Sequence, residues 1–272
     1  MTEGPATPGS WQNPVRRRLL AGGPVFGITL TTSSLDVAAR AATLGFDFLW
    51  VEMEHSPITL ETLRHIVLAT RGLPAVPFAR VPVNEVWAAK RVLDAGVCGV
   101  LFPFTSTPAL ARQAVASCRY PPLGCRGSGA GLATSTWPDT TDYYESADCN
   151  VLVVAIIEEA AALSHLDAIA STPGLDALFV GTSDLSFSLG CRGRQNEALL
   201  DAAIEEIRQA AERHGKAVGR PARNAEEARE FIDRGFRLFQ TASELGFLEA
   251  GAREFFGSLK RPQPGPADTR LY

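Results

Sequence analysis

Three groups of polar side chains stand out because each one ends an apolar run. Phe46–Val51 leads into Glu52-Met53-Glu54-His55, which places two carboxylates and an imidazole within four residues. Histidine is the side chain best able to take and return a proton near neutral pH, and a carboxylate such as Glu52 can fix its tautomer. Arg80 closes Val76-Pro77-Phe78-Ala79 and is followed by Val81-Pro82. Its planar donor fork suits a carboxylate or a phosphate. Val151 to Ile157 runs into Glu158, and Leu178-Phe179-Val180-Gly181 leads to Asp184. Carboxylate oxygens plus water are what a hard divalent ion such as Mg2+ takes, and Mn2+ or Co2+ accepts the same set. Two protein ligands alone leave positions open for a bidentate substrate. Glu159 is the weaker ligand because it opens the next helix.

Taken singly, a charged surface loop at 52–55 and a structural ion pair at Arg80 are the plainer readings. Together the residues specify a site: Glu158 and Asp184 for a metal, Arg80 and the metal for an anionic carbonyl compound, His55 for a proton. That set suits chemistry at the carbon beside a carbonyl, where a cation stabilises the developing enolate. Gly181 permits close backbone approach, and the N–H groups of Thr182 and Ser183 can receive a substrate carboxylate. Ser183 and Ser186 have no histidine placed for a nucleophilic triad. Covalent amine catalysis needs a lysine in an apolar site, but Lys90 falls within a helix, Lys216 enters a strand from its start, and Lys260 is near the C-terminus. A histidine or cysteine set for structural zinc is absent. His65, His165 and His214 read as scaffold.

These side chains need a frame that brings distant strand ends together. Short apolar segments rich in β-branched residues recur at 25–30, 46–52, 75–80, 97–102, 151–157, 177–181, 216–219 and 236–240. Helical periodicity follows most of them, at Leu35–Leu44, Leu60–Thr70, Val86–Ala95, Pro108–Cys118, Glu159–Ala170, Glu197–His214, Ala225–Arg234 and Glu244–Phe256. Apolar strands alternating with helices read as a parallel sheet covered on both faces. Eight such units predict a single closed (β/α)8 TIM barrel, an α/β fold whose active site forms at the C-terminal ends of the strands. An open doubly wound sheet is disfavoured because no G-x-G-x-x-G opens a helix after the first strand. The Gly127-Ser128-Gly129-Ala130-Gly131 run lies instead in a long irregular segment, 120–149, of the kind used as a lid, binding loop or interface arm. The expected organisation is a flexible tail at 1–18 (a short helix over 14–21 being the alternative), the catalytic barrel at 19–258, and a second tail at 259–272.

Composition narrows the class further. The chain has 272 residues, 46% hydrophobic and 21% charged, which can bury a large core and excludes general disorder. A net charge of -4 gives no reason to expect a nucleic-acid partner. Five scattered cysteines without a C-x-x-C pair read as a reduced cytoplasmic protein. No apolar run reaches membrane-spanning length, and the start of the chain lacks the pattern of a signal peptide.

The residues resemble the metal-dependent class II 2-oxo-acid aldolases typified by 4-hydroxy-2-oxoheptanedioate aldolase, over roughly 19–255. The resemblance rests on Gly45-Phe46-Asp47-Phe48, Glu54-His55, Arg80, Tyr120-Pro121-Pro122 with Gly124 and Arg126-Gly127, Glu158, and Gly181 with Asp184-Leu185-Ser186. It implies a (β/α)8 barrel assembled as a homohexamer, a trimer of dimers that exchange their last helix. It further implies that Glu158 and Asp184 bind Mg2+, Mn2+ or Co2+, that Arg80 binds pyruvate and steadies its enolate, and that His55 is the acid/base with Glu54 behind it. The Arg126 loop is implied to approach an active site, either its own or a neighbour's. The implied reaction is reversible cleavage of a 4-hydroxy-2-oxo acid into pyruvate and an aldehyde.

Three departures from the family pattern bear on that reading. Glu52 stands where the family has Asp, Ile156 where it has Gln, and Arg220 where a small or apolar residue is usual. Arg220 is expected to recognise a second anionic group or to block the ordinary aldehyde site. A synthase or decarboxylase using the same enolate is the alternative within enzymes. A non-catalytic binding or assembly barrel is the alternative of another class.

Overall fold

The computed structural model describes residues 11–137, 143–191, 197–257 and 259. Eight parallel strands close on themselves in chain order: β1 (Val25–Leu30), β2 (Phe48–Glu52), β3 (Val76–Arg80), β4 (Gly99–Phe102), β5 (Leu152–Ile157), β6 (Ala177–Val180), β7 (Ala217–Pro221) and β8 (Leu238–Ser243). Each expected apolar segment is a strand. Burial on both faces is the reason: every residue of β5 and β6 is buried, so side chains on both sides of the pleat are apolar.

Register sets which side chains enter the barrel. Trp50 on β2 meets Phe179 on β6 across the interior, their ring centroids 4.9 Å apart. Phe48 stacks on Phe78 at 4.9 Å. Glycines make room for these rings: a Cβ at Gly27 would fall 2.2 Å from the Phe48 ring, and one at Gly99 would fall 2.8 Å from Phe78. With alternation along each strand, Glu52 lies on the inward face with Trp50, Arg80 with Phe78, and Gly219, whose Cβ would strike Phe179 at 2.7 Å, marks the inward face of β7. Truncating Phe179 to alanine would cost about 3–5 kcal/mol through the void left behind.

The covering helices begin at recognisable caps. Thr59 accepts from the Thr62 N–H where the helix Leu60–Ala69 starts, and Thr107 accepts from the Leu110 N–H where the helix Pro108–Cys118 starts. In chain order the helices are α1 (Pro14–Leu20), α2 (Leu35–Ala41), α3 (Leu60–Ala69), α4 (Val86–Ala95), α5 (Pro108–Cys118), α6 (Gly131–Thr134), α7 (Tyr143–Asn150), α8 (Leu166–Ala170), α9 (Thr182–Ser188), α10 (Glu197–Arg213), α11 (Ala225–Asp233) and α12 (Glu244–Gly257). The helix expected over Glu159–Ala170 opens as 3-10 turns at Ala160–His165. With about 2.0 Å of rise per residue against 1.5 Å, those turns cover more distance in this short connection.

The tail expected at 1–18 gives way to α1 at Pro14. Asn13 is the cause: its Oδ1 accepts from Val15 N–H, and its Nδ2 donates to the carbonyls of Cys98 and Asn150 at 2.9 Å. These bonds fix α1 across the N-terminal end of the barrel. Residues 1–10, and 260–272 of the second tail, lie outside the described residues. The segment expected to be irregular at 120–149 contains α6 and most of α7, with 138–142 outside the described residues.

Candidate active site

Four strand ends carry the polar side chains. Glu52 ends β2, Arg80 ends β3, Glu158 follows β5, and Gly181 follows β6 and caps α9, whose first turn holds Thr182, Ser183 and Asp184. Arg80 is the centre. Its Nη2 lies 2.6 Å from Glu54 Oε2 and 3.3 Å from Glu158 Oε2, and its Nη1 lies 3.5 Å from Glu52 Oε2.

Glu158 is 1% exposed. Its Oε1 accepts from the Phe104 N–H at 2.7 Å, and its Oε2 accepts from Arg80. Gly181 leaves that carboxylate its space, since a Cβ there would fall 2.6 Å from Oε2. Burial pushes the Glu158 carboxyl above its ordinary range; the Phe104 N–H and Arg80 oppose the shift, while Asp184 adds to it. Glu54 is pushed up to about 7, chiefly by burial, against the pull of Arg80.

Glu52 does not orient the imidazole as expected. Its Oε1 accepts from the N–H groups of Glu54 at 2.8 Å and His55 at 3.1 Å, and its Oε2 accepts from Trp50 Nε1 at 3.1 Å. The side chain folds back over its own turn because those donors lie directly above the strand end. Glu54 takes the place beside histidine, with Oε2 3.7 Å from His55 Nε2. The His55 side chain is 59% exposed, at the open mouth.

The site has a charge imbalance. Three carboxylates, Glu52, Glu54 and Glu158, share one guanidinium, so acidic groups outnumber the basic one. Glu54 Oε2 is buried without a hydrogen bond, its contact with Arg80 being badly angled for one. Such a pocket favours a cation. Among the described residues no group of three or more His, Cys, Asp and Glu side chains is arranged to hold a metal. The chemistry of these carboxylate oxygens, completed by water or substrate oxygens, suits a hard divalent cation. Glu159 is turned aside: its Oε2 accepts from Ser106 Oγ at 2.5 Å.

Two expected substrate contacts are not brought to the site. Arg126 lies near the opposite end of the barrel, bonded to Asp94 Oδ1 at 3.0 Å and to the Tyr143 hydroxyl at 3.1 Å, with its guanidinium 4.6 Å from the Tyr120 ring centre. It is 1% exposed, so no substrate reaches it. Arg220 follows the inward Gly219 and so points outward, its guanidinium 3.6 Å from the ring centre of Phe231 on α11. Burial there pushes it down to about 10. Strand parity is the reason, and neither anion recognition nor blocking of the mouth follows. Trp137 is also remote, donating to the Gly96 carbonyl at 3.1 Å and packing edge-on against Trp11. A cavity of about 330 Å3 lined in part by those two rings lies at the N-terminal end. The carboxylates are not there.

Sequence reasoning missed Phe104 and Trp50 as parts of the site. Nothing in the residues around Phe104 signals that its N–H meets Glu158. Trp50 was legible only as a strand residue, although its separation of two from Glu52 places both on one face.

A parallel eight-stranded barrel with acidic, arginine and histidine side chains at its C-terminal face defines an enzyme of the TIM-barrel class. The chain belongs to the HpcH/HpaI aldolase/citrate lyase family, which it matches over residues 26–249. It is 34% identical over 257 residues to a hydroxypyruvate/pyruvate aldolase of Cupriavidus necator, covering 94% of this chain and 96% of the relative. It is 35% identical over 217 residues to a 5-keto-4-deoxy-D-glucarate aldolase of Shigella sonnei, covering 80% and 85%. The crystal structure of a family protein from Burkholderia cenocepacia superimposes with a TM-score of 0.84 at 31% identity, covering 92% of this chain and all of that one. The chain is thus an enzyme of an aldolase and lyase family, which sets aside a purely structural barrel.

Proposed function

We propose that this enzyme is a divalent-metal-dependent aldolase that reversibly cleaves a 4-hydroxy-2-oxo acid into pyruvate and an aldehyde. The observation that carries the reading is Arg80, held among Glu52, Glu54 and Glu158 at the end of β3 with two of its nitrogens directed at carboxylates. Glu158 and Asp184 would hold Mg2+, Mn2+ or Co2+, which supplies Lewis-acid polarisation of the 2-oxo group. Arg80 donates to the substrate's pyruvate half and stabilises negative charge as the enolate develops. Backbone N–H groups of Thr182 and Ser183, in the first turn of α9 where helical acceptors are lacking, receive the substrate carboxylate. His55 takes the proton of the 4-hydroxyl in cleavage and returns it in condensation. Glu54, 3.7 Å away, keeps the imidazole facing the pocket, and Glu52 holds the turn that carries both.

The test follows exchange of solvent deuterium into the methyl group of pyruvate. Exchange should require Mg2+, Mn2+ or Co2+, stop with a chelator, and be lost in Glu158→Ala and Asp184→Ala. Persistent exchange in metal-free protein rejects the role given to the ion. A synthase or decarboxylase would share every one of these residues.

The assembly belongs to this proposal too. Leu245, Phe247, Leu248, Phe255 and Phe256 are exposed along α12, which supports burial of that helix by a second copy in a homohexamer with exchanged helices. A solution mass of one chain would overturn it. Cys98, Cys118, Cys125 and Cys149 are free, and among the described residues no helix is long and apolar enough to cross a membrane. Both support a cytoplasmic enzyme acting on small molecules.

A further inference from the structure

Phe104, in the turn between β4 and α5, is the one non-glycine residue with positive φ among the described residues, at 47°. Side chains larger than a hydrogen crowd the backbone in this region, and glycine does not. The conformation aims the Phe104 N–H at Glu158 Oε1, 2.7 Å away. The next residue, Thr105, donates its N–H to the Ile156 carbonyl at 3.1 Å. The turn is therefore fastened at two points to the end of β5.

If that fastening were the whole purpose, glycine would serve with less strain. Phenylalanine stands there instead, and it is 42% exposed at the C-terminal face. Its backbone touches the carboxylate assigned to the ion, so this exposed residue stands at the rim of the place where substrate must lie. A large apolar side chain in that position loses its contact with water only when another apolar group arrives. Ile156, two residues before Glu158 on the same face of β5, is buried, and its carbonyl holds the residue after Phe104.

Resting on the aldolase reading above, we propose that Phe104 is a specificity-determining residue whose ring forms the wall against which the carbon chain of the acceptor aldehyde packs. The pyruvate half is assigned to Arg80 and the ion, which leaves the ring to the carbon chain of the second substrate. Loss of the ring should therefore change the choice of aldehyde far more than it changes enolate formation.

The experiment compares wild type with Phe104→Gly and Phe104→Leu in the Mn2+-loaded enzyme. Glycine adopts the left-handed backbone freely and keeps the N–H on Glu158. Phe104→Gly should still bind Mn2+ and exchange the pyruvate methyl hydrogens, so that aldehyde choice is read on an enzyme that forms the enolate. Its kcat/KM for butanal or hexanal should fall about tenfold relative to glycolaldehyde, mostly through KM. Phe104→Leu should recover part of that preference. An unchanged ratio of aliphatic aldehyde to glycolaldehyde in Phe104→Gly, with normal exchange, overturns the assignment of Phe104 alone. Weakened Mn2+ binding in Phe104→Gly overturns it as well, by placing the ring's effect at the ion. If wild type with Mn2+ does not exchange at all, the aldolase reading fails and takes the proposal with it.

Discussion

Glu54→Gln offers a quantitative test of the charge imbalance in the pocket. Burial holds the Glu54 carboxyl at about 7, against 4.5 for an ordinary glutamate. Below about pH 4.5 the group is protonated in the folded and unfolded chain alike and costs nothing. Between 4.5 and 7 the folded chain keeps a proton that the unfolded chain has released, so stability falls as pH rises and levels off above 7. A shift of that size corresponds to about 3 kcal/mol, which solvent at the open mouth reduces to about 1–2 kcal/mol. Glutamine keeps the shape and cannot ionise. In metal-free protein, Glu54→Gln should match wild type near the acid end and melt about 2–4 °C higher at pH 8. Added Mn2+ should narrow the gap by stabilising the ionised carboxylate. The assay is thermal unfolding followed by circular dichroism from pH 4.5 to 8.5 with and without the ion. A gap independent of pH, or one that closes as pH rises, would refute the reasoning.

Three other substitutions separate the site from its scaffold. Arg126→Met should destabilise by about 3 kcal/mol, because it strands the buried partners of the guanidinium, while the folded fraction exchanges pyruvate hydrogens as wild type does; denaturant unfolding and the exchange assay check the two halves. Arg220→Met should leave the preference between anionic and neutral aldehydes unchanged and keep or raise the melting temperature, since it removes a buried guanidinium whose Nε has no partner. Trp50→Phe should lose about 1 kcal/mol with the bond to Glu52 and slow exchange by loosening the turn that carries His55, which parallel unfolding and exchange measurements would detect.

The barrel was legible because strands covered on both faces have no reason to carry polar side chains before their ends. That rule located β5 and Glu158 together, and it located Arg80. It did not say which face of β7 holds Arg220: polarity at a strand end reads the same whether it turns into the mouth or under a helix, and only the contact between Gly219 and Phe179 fixes the parity. Arg126 misled for a related reason. A loop rich in glycine and proline looks mobile, but the Tyr120 and Tyr143 rings with Asp94 seal the guanidinium from both sides. The exchange of roles between Glu52 and Glu54 was not legible either. Two carboxylates one residue apart differ in function through the direction of the turn, here set by three N–H donors on Glu52. Phe104 contributes through its backbone, which residue type alone does not report.

The central claim is that Glu158 and Asp184 hold one divalent ion facing Arg80. Calorimetric titration of Mn2+ into the metal-free enzyme, the Glu158→Gln and Asp184→Asn variants and their combination tests it most directly. The account predicts one ion per chain in wild type and none in either single variant. Wild-type affinity in either one would contradict it.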